Sequence, residues 1–215
     1  SKSYYLDRST YINLRWIAII GQFITINSVK FLLEFEFPYL LSNIIILFGI
    51  LSNLYLYHFD INPQISNKSS FIYLLIDIFQ LSILLYLTGG VLNPFSIFLI
   101  IPSIFSSSNL NIRTNLTLIT ITLFIIIFLT FFSHDLPYPM NEKLSIDENY
   151  YYSIPLALIV ALIFLNFFAI TFGKESRLRK EALDKIQEVI AKEHELVSLG
   201  GQAAAAAHSL GTPFS

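Results

Sequence analysis

The sequence predicts an all-α membrane protein, with six transmembrane helices followed by a cytoplasmic coiled-coil or dimerisation helix. Three observations carry that prediction. Across 215 residues the chain is 54% hydrophobic and only 13% charged, with a mean hydropathy of +0.64, whereas soluble domains carry about 25% charge. The apolar residues fall into six blocks of span length or slightly less. After Phe172 the composition switches abruptly to charged residues in helical period. The absence of cysteine excludes a disulfide framework and thiolate metal sites. A net charge of -2 gives no reason to expect nucleic acid as a direct partner.

A bilayer core is crossed by about 20 apolar helical residues. Leu14–Leu33, Tyr39–Tyr57 and Phe71–Gly90 meet that requirement, as do Leu116–Phe132 and Ile154–Phe172. The first block is followed by no small-residue cleavage site, so it reads as a retained span. The fourth block, Pro94–Ser108, is short and interrupted by Pro102. It reads as a tilted or kinked span, or as a re-entrant segment buried in protein.

Charge distribution supports counting the fourth block as a span. Lys2, Arg8 and Arg15 precede span one, Lys68 and Arg113 lie in the even-numbered connections, and Lys174, Arg177, Arg179 and Lys180 follow span six. The opposite loops hold Glu34, Glu36, Asp135, Glu142, Asp147 and Glu148, against Lys143. By the positive-inside rule both termini are cytoplasmic. With five spans, Arg113 and the Lys174–Lys180 cluster would fall on opposite sides. Trp16 and Tyr150–Tyr152 occupy expected interfacial positions.

The organisation expected is a membrane domain over 1–173, a helical linker over 174–199 and the start of a further helix over 200–215. In the linker Leu183, Ile186, Ile190 and Val197 form a stripe interrupted by Glu193. Glu175 with Arg179, and Glu181 with Lys185, are i,i+4 pairs in the favourable order. Two readings fit: a solvated amphipathic helix packed on its own protein, or a parallel two-stranded coiled coil.

Two stretches carry candidate chemistry. "TGGVLNPF", Thr88 to Phe95, closes the third span at the non-cytoplasmic face. Gly89 and Gly90 free the backbone, Pro94 removes a donor and Asn93 favours a turn. The stretch reads either as a tight inter-helix turn or as a ligand site. In the second case unpaired backbone groups, the Asn93 amide and the Phe95 ring would hold a flat carbonyl-bearing lipid such as a quinone. Asp77 and Gln80 share a helix face upstream, and Thr88 extends that polar stripe toward the turn. An intramembrane carboxyl is a functional hypothesis by default; the bland alternative is a protonated Asp77 bonded to a neighbouring helix.

The second stretch is "QAAAAAHSLGTPFS", Gln202 to Ser215. A neutral imidazole on a helix with small neighbours can accept a phosphoryl group on a ring nitrogen. Pro213 bends the helix beyond His208. The remaining histidines, His58, His134 and His194, lack metal-ligand spacing.

"AAAAAHSLGTPFS" resembles the H-box of sensor histidine kinases, most closely the RegB/PrrB redox-sensing group. That group has six spans and a GG-x-x-NPF motif proposed to bind ubiquinone, which Gly89, Gly90, Asn93, Pro94 and Phe95 match. The resemblance covers essentially the whole chain. It implies residence in the bacterial cytoplasmic membrane, a homodimer through a helical bundle, and His208 as the autophosphorylation site. It further implies ATP and Mg bound by a C-terminal catalytic domain beyond this sequence, and a cognate response regulator. Thr212 would position water for phosphatase action on that regulator. The resemblance departs at Ser209, where the family usually has an acidic residue; serine is a far weaker base. A phosphatase-only or pseudokinase role fits that departure. The alternative from another class is a non-kinase membrane scaffold or small-molecule permease with a dimerising tail, although only one broken region is present where a transporter wants a repeated pair.

Overall fold

The computed structural model describes residues 5–59, 62–138 and 147–211, with backbone alone at Tyr5 and over 207–211. A short antiparallel ladder, β1 (Tyr5–Asp7) with β2 (Gln64–Ser66), pairs Leu6 with Ile65. The helices are α1 (Arg8–Phe31), α2 (Tyr39–Phe59), α3 (Asn67–Leu87), α4 (Ile101–Asn109), α5 (Ile112–Phe131) and α6 (Glu148–Gly211). Two 3-10 segments, Gly90–Leu92 and Pro94–Ile100, connect α3 to α4. The chain divides into two compact units, Ser1–Ile170 and Thr171–Ser215.

Five helices, α1, α2, α3, α5 and α6, are long and apolar enough to cross a membrane. The fourth block is the shorter apolar stretch Pro94–Asn109. Pro102 does not break it midway. It sits in the first turn of α4, at the junction with the preceding 3-10 helix. The preceding residues wind as a 3-10 helix, whose rise is about 2.0 Å per residue against about 1.5 Å in an α-helix. The stretch therefore reaches about 28 Å, close to the roughly 30 Å of a hydrocarbon core.

One end of the bundle is tied by polar caps. Asp7 caps α1 by accepting from the Thr10 amide (2.8 Å) and hydroxyl (2.6 Å). These two bonds, the hydroxyl one first, hold its carboxyl below the usual aspartate range. Ser66 caps α3 and Asn111 caps α5. The Asn67 amide bridges the two loops, accepting from the Asn111 amide (3.1 Å) and donating to the Thr114 hydroxyl (2.8 Å). Arg8 donates to the Leu56 and Tyr57 carbonyls, filling acceptors left open at the end of α2. Beneath these caps Leu6, Tyr11, Ile12, Leu56, Leu74 and Leu118 close one buried cluster.

α3 is the central helix, half buried over its apolar window, whereas the windows of α1, α2 and α6 are mostly outward-facing. Ile17, Phe48, Phe124 and Phe164 are exposed on the outer faces. That pattern suits lipid, since water would penalise so much exposed apolar surface. Toward the opposite end Leu85, Val91, Leu99, Leu129, Leu158 and Leu162 knit α3, α5, α6 and the 3-10 segments into a second buried cluster.

In the unit Thr171–Ser215 the predicted stripe of Leu183, Ile186, Ile190 and Val197 is exposed. The Glu175–Arg179 pair forms, at 2.5 Å, and Glu188–Lys192 forms a second at 2.7 Å.

Candidate functional site

The sequence places a polar stripe on α3, and the fold turns that stripe toward α1. Between the two helices, closed by the 3-10 segment Pro94–Ile100 and α4, lies a cavity of about 760 Å³. It falls in the range of small-molecule sites, about 300–1,000 Å³. Asp77, Gln80, Thr88, Asn93, Pro94 and Phe95 all line it. The structure thus brings together two features that the sequence presents eleven residues apart, Asp77 and the turn at Thr88. Along a helix that separation is about 16 Å.

At the inner pole Asp77 is ion-paired. The Arg15 Nε donates to Asp77 Oδ1 at 2.8 Å, and the Tyr11 hydroxyl donates to Asp77 Oδ2. The Arg15 guanidinium also reaches the Ser52 hydroxyl at 2.8 Å and lies 5.7 Å from the Tyr11 ring centre. Asn53 supports the cluster by donating to the Ile12 carbonyl at 3.3 Å. Arg15 is only 4% exposed, while the Asp77 side chain is 21% exposed. The neighbouring helix that Asp77 bonds to is α1, through Arg15 and Tyr11. Arg15, read from sequence as a cytoplasmic flank, lies inside α1 and inside the bundle, because Asp77 supplies the countercharge that lets a guanidinium be buried there. Trp16 beside it is partly buried and packs against two buried clusters.

One turn farther along, the Gln80 amide donates to Gln22 Oε1 at 3.1 Å and lies over Gly49 of α2. A Cβ at Gly49 would collide with that amide. Tyr11, Arg15, Ser52, Asn53, Gln22 and Gly49 escaped the sequence reading. The signal was present in span one: Tyr11, Arg15 and Gln22 recur at four- and seven-residue steps, placing them on one helix face.

At the outer end the GG turn is a built structure. Gly89 and Gly90 take positive φ, 109° and 59°. A Cβ on Gly89 would strike Leu136, and one on Gly90 would meet the Leu129 carbonyl at 2.6 Å. The Asn93 amide donates to the Thr88 carbonyl (2.8 Å) and hydroxyl (2.9 Å), and its oxygen accepts from the Phe95 amide (2.9 Å). The Thr88 hydroxyl donates to the Leu84 carbonyl at 2.8 Å. The Asn93 amide thus clasps the turn, the role that goes with the first of the two sequence readings of this stretch. Gly89 and Gly90 shape the turn from outside the cavity lining. Phe95 stacks on Phe98 with centroids 5.9 Å apart, and both rings face the cavity.

His208 and Ser209 belong to α6, where only backbone is described, and Thr212 lies outside the described residues.

The fold is a multi-pass membrane bundle with a cavity lined by polar groups at both ends, and sequence comparison gives its family. Over residues 11–183 the chain matches the PilS-like transmembrane domain, a six-span family, and it belongs to that family. It is similar to the sensor histidine kinase RegB of Cereibacter sphaeroides, with 32% identity over 206 residues, covering 95% of this chain and 45% of the relative. A second RegB, from a strain of the same species, is 34% identical over 74 residues, covering 34% of this chain and 16% of the relative. The chain spans about half the length, or less, of the curated relatives it matches. No solved structure matches it significantly.

Proposed function

We propose that the chain is the sensor region of a two-component histidine kinase that responds to redox state through a quinone held in the cavity between α1 and α3. The observation that carries this reading is the cavity itself: one intramembrane chamber joins the Arg15–Asp77 pair to the Thr88–Phe95 turn. The residues suit such a ligand. The walls are mostly apolar, two aromatic rings flank the outer end, and polar side chains stand at the inner pole. Ubiquinone or a related quinone, when bound, supplies the signal, because reduction converts ring carbonyls that accept hydrogen bonds into hydroxyls that donate them.

The chain's own residues would carry the response as a shift between two arrangements of the bundle. His208 is the phospho-acceptor in this reading, served by ATP and Mg on the protein's own C-terminal domain, with a response regulator downstream. Thr212 would hold water for dephosphorylation, and Ser209 sets a slow phosphotransfer because it is a weak base. The exposed Leu183–Val197 stripe supports a homodimer. The distribution of Lys and Arg supports both termini in the cytoplasm of an inner-membrane protein.

The test is equilibrium binding of a short-tailed quinone analogue to the chain in lipid nanodiscs. Saturable binding is expected, weakened about tenfold or more by Phe95→Ala, which removes one wall of the cavity. Absence of saturable binding to the wild-type chain overturns the reading.

A further inference from the structure

The two ends of the cavity differ in what hydrogen bonds they have left to give. At the outer end the Asn93 amide donates to Thr88, the Thr88 hydroxyl donates back to the Leu84 carbonyl of α3, and Pro94 has no N–H. What remains there for a ligand is chiefly the rings of Phe95 and Phe98. The inner pole is the reverse. A carboxylate offers about four lone-pair sites, and the Asp77 carboxylate receives two bonds, one on each oxygen, while remaining partly open. The Gln22 amide accepts from Gln80, yet its own N–H₂ group has no protein partner among the described residues. Gln22, Gln80 and Asp77 all face the cavity. Donors and acceptors with spare capacity therefore converge at this pole, where the cavity gives a ligand access to them.

We infer that the polar head of the cavity's ligand docks at the inner pole, between Gln22, Gln80 and Asp77, with its apolar tail running toward Phe95 and Phe98. The ligand class is an amphipathic ring bearing oxygen substituents. Ring carbonyls would accept from the Gln22 and Gln80 amides, and ring hydroxyls would donate to Asp77, so the pole has a partner for either form. The GG turn is then a wall and a clasp, and the head-group contacts come from α1 and α3. This inference rests on the proposed quinone reading.

Photolabelling the wild-type chain in nanodiscs separates the two. A quinone carrying an azide on its ring should label 11–25 and 74–84, mapped by mass spectrometry after proteolysis. A probe with the azide at the tail terminus should label 94–105. Ring-azide label concentrated on 88–98 overturns the head placement while leaving the quinone reading intact; label that excess unmodified quinone fails to compete away overturns both. As an independent readout, Gln22→Leu keeps a half-buried position filled with a side chain of similar size and should weaken binding of the short-tailed analogue about five- to tenfold. Unchanged affinity in that variant overturns the inference.

Discussion

Removing Asp77 should cost more than removing the whole ion pair. In Asp77→Ala the Arg15 guanidinium stays buried, at 4% exposure, with its Nε bond lost and only the Ser52 and Asn53 side chains still reaching it. Stranding one member of a buried pair costs about 3–5 kcal/mol. The Ser52 and Asn53 bonds, and the partial opening of Asp77 to the cavity, place this case near 3 kcal/mol. The Tyr11 hydroxyl also loses its acceptor, adding about 1 kcal/mol. The double variant Arg15→Leu/Asp77→Leu strands no charge and should fall within about 1 kcal/mol of wild type, since apolar replacement of a buried pair is often neutral. Reversible unfolding in mixed micelles with increasing anionic detergent measures all the variants. Single Arg15→Leu and Asp77→Leu effects that add up to that of the double variant within about 0.5 kcal/mol would mean that the two residues are energetically independent, which would refute direct pairing of α1 with α3 through this contact.

Two further perturbations test the caps and the turn. Gly90→Ala should destabilise the bundle by about 2 kcal/mol or more, because its Cβ meets a backbone oxygen that cannot step aside, at a positive φ; Gly89→Ala should be partly relieved by Leu136→Ala, since there the obstruction includes a movable side chain. Asp7 titrates lower in the folded chain than unfolded, so its contribution to the start of α1 is present above the unfolded pKa and is lost as pH falls through the folded one. Amide exchange over residues 8–12 should therefore lose protection at acid pH in wild type, with the pH step removed in Asp7→Ser, which keeps a cap without a charge.

The spans were legible because lipid imposes a simple rule: about 20 apolar residues per crossing. Only the fourth was ambiguous, and the 3-10 winding that lengthens it depends on neighbours that periodicity does not reveal. Asp77 was legible as an anomaly, since a carboxylate in a span is conspicuous alone. Its partner was not, because Arg15 near a span end is equally well explained by the membrane interface. The discriminating information is rotational: Tyr11, Arg15 and Gln22 share a face, and whether that face meets α3 or lipid is decided by tertiary packing. Asn93 left two readings open for a related reason. A turn-favouring amide and a ligand-binding amide have the same sequence, and only the bonds to Thr88 separate them. At His208 and Ser209 the reading rests on resemblance, with backbone alone described there.

The site and the last span meet through α4. One of its faces, with Ile101, Pro102 and Phe105, lines the cavity. The opposite face, with Ser103 and Ser107, hydrogen-bonds Asn166 of α6: the Asn166 amide donates to Ser103 Oγ at 3.0 Å, and the Ser107 hydroxyl donates to Asn166 Oδ1 at 2.5 Å. These groups are buried, so the bonds act where water cannot substitute for them. Asn115 of α5 joins the same cluster at 2.9 Å from Ser107. A ligand that displaces Ile101 or Phe105 thus pulls on α6 through directional bonds, whereas an apolar contact would let the helices slip. Asn166→Leu removes the bonds while keeping a side chain of similar size. Because Ser107 keeps Asn115 and Ser103 keeps the Ile100 carbonyl, the stability cost should stay near 1–2 kcal/mol. Hydrogen exchange with and without the quinone analogue reads the coupling. In wild type, ligand should change protection over both 101–109 and 159–170. In Asn166→Leu the first change should persist and the second should fall to background. A ligand-induced change over 159–170 that survives intact would show that the signal reaches α6 by packing alone and that the polar joint has no part in it.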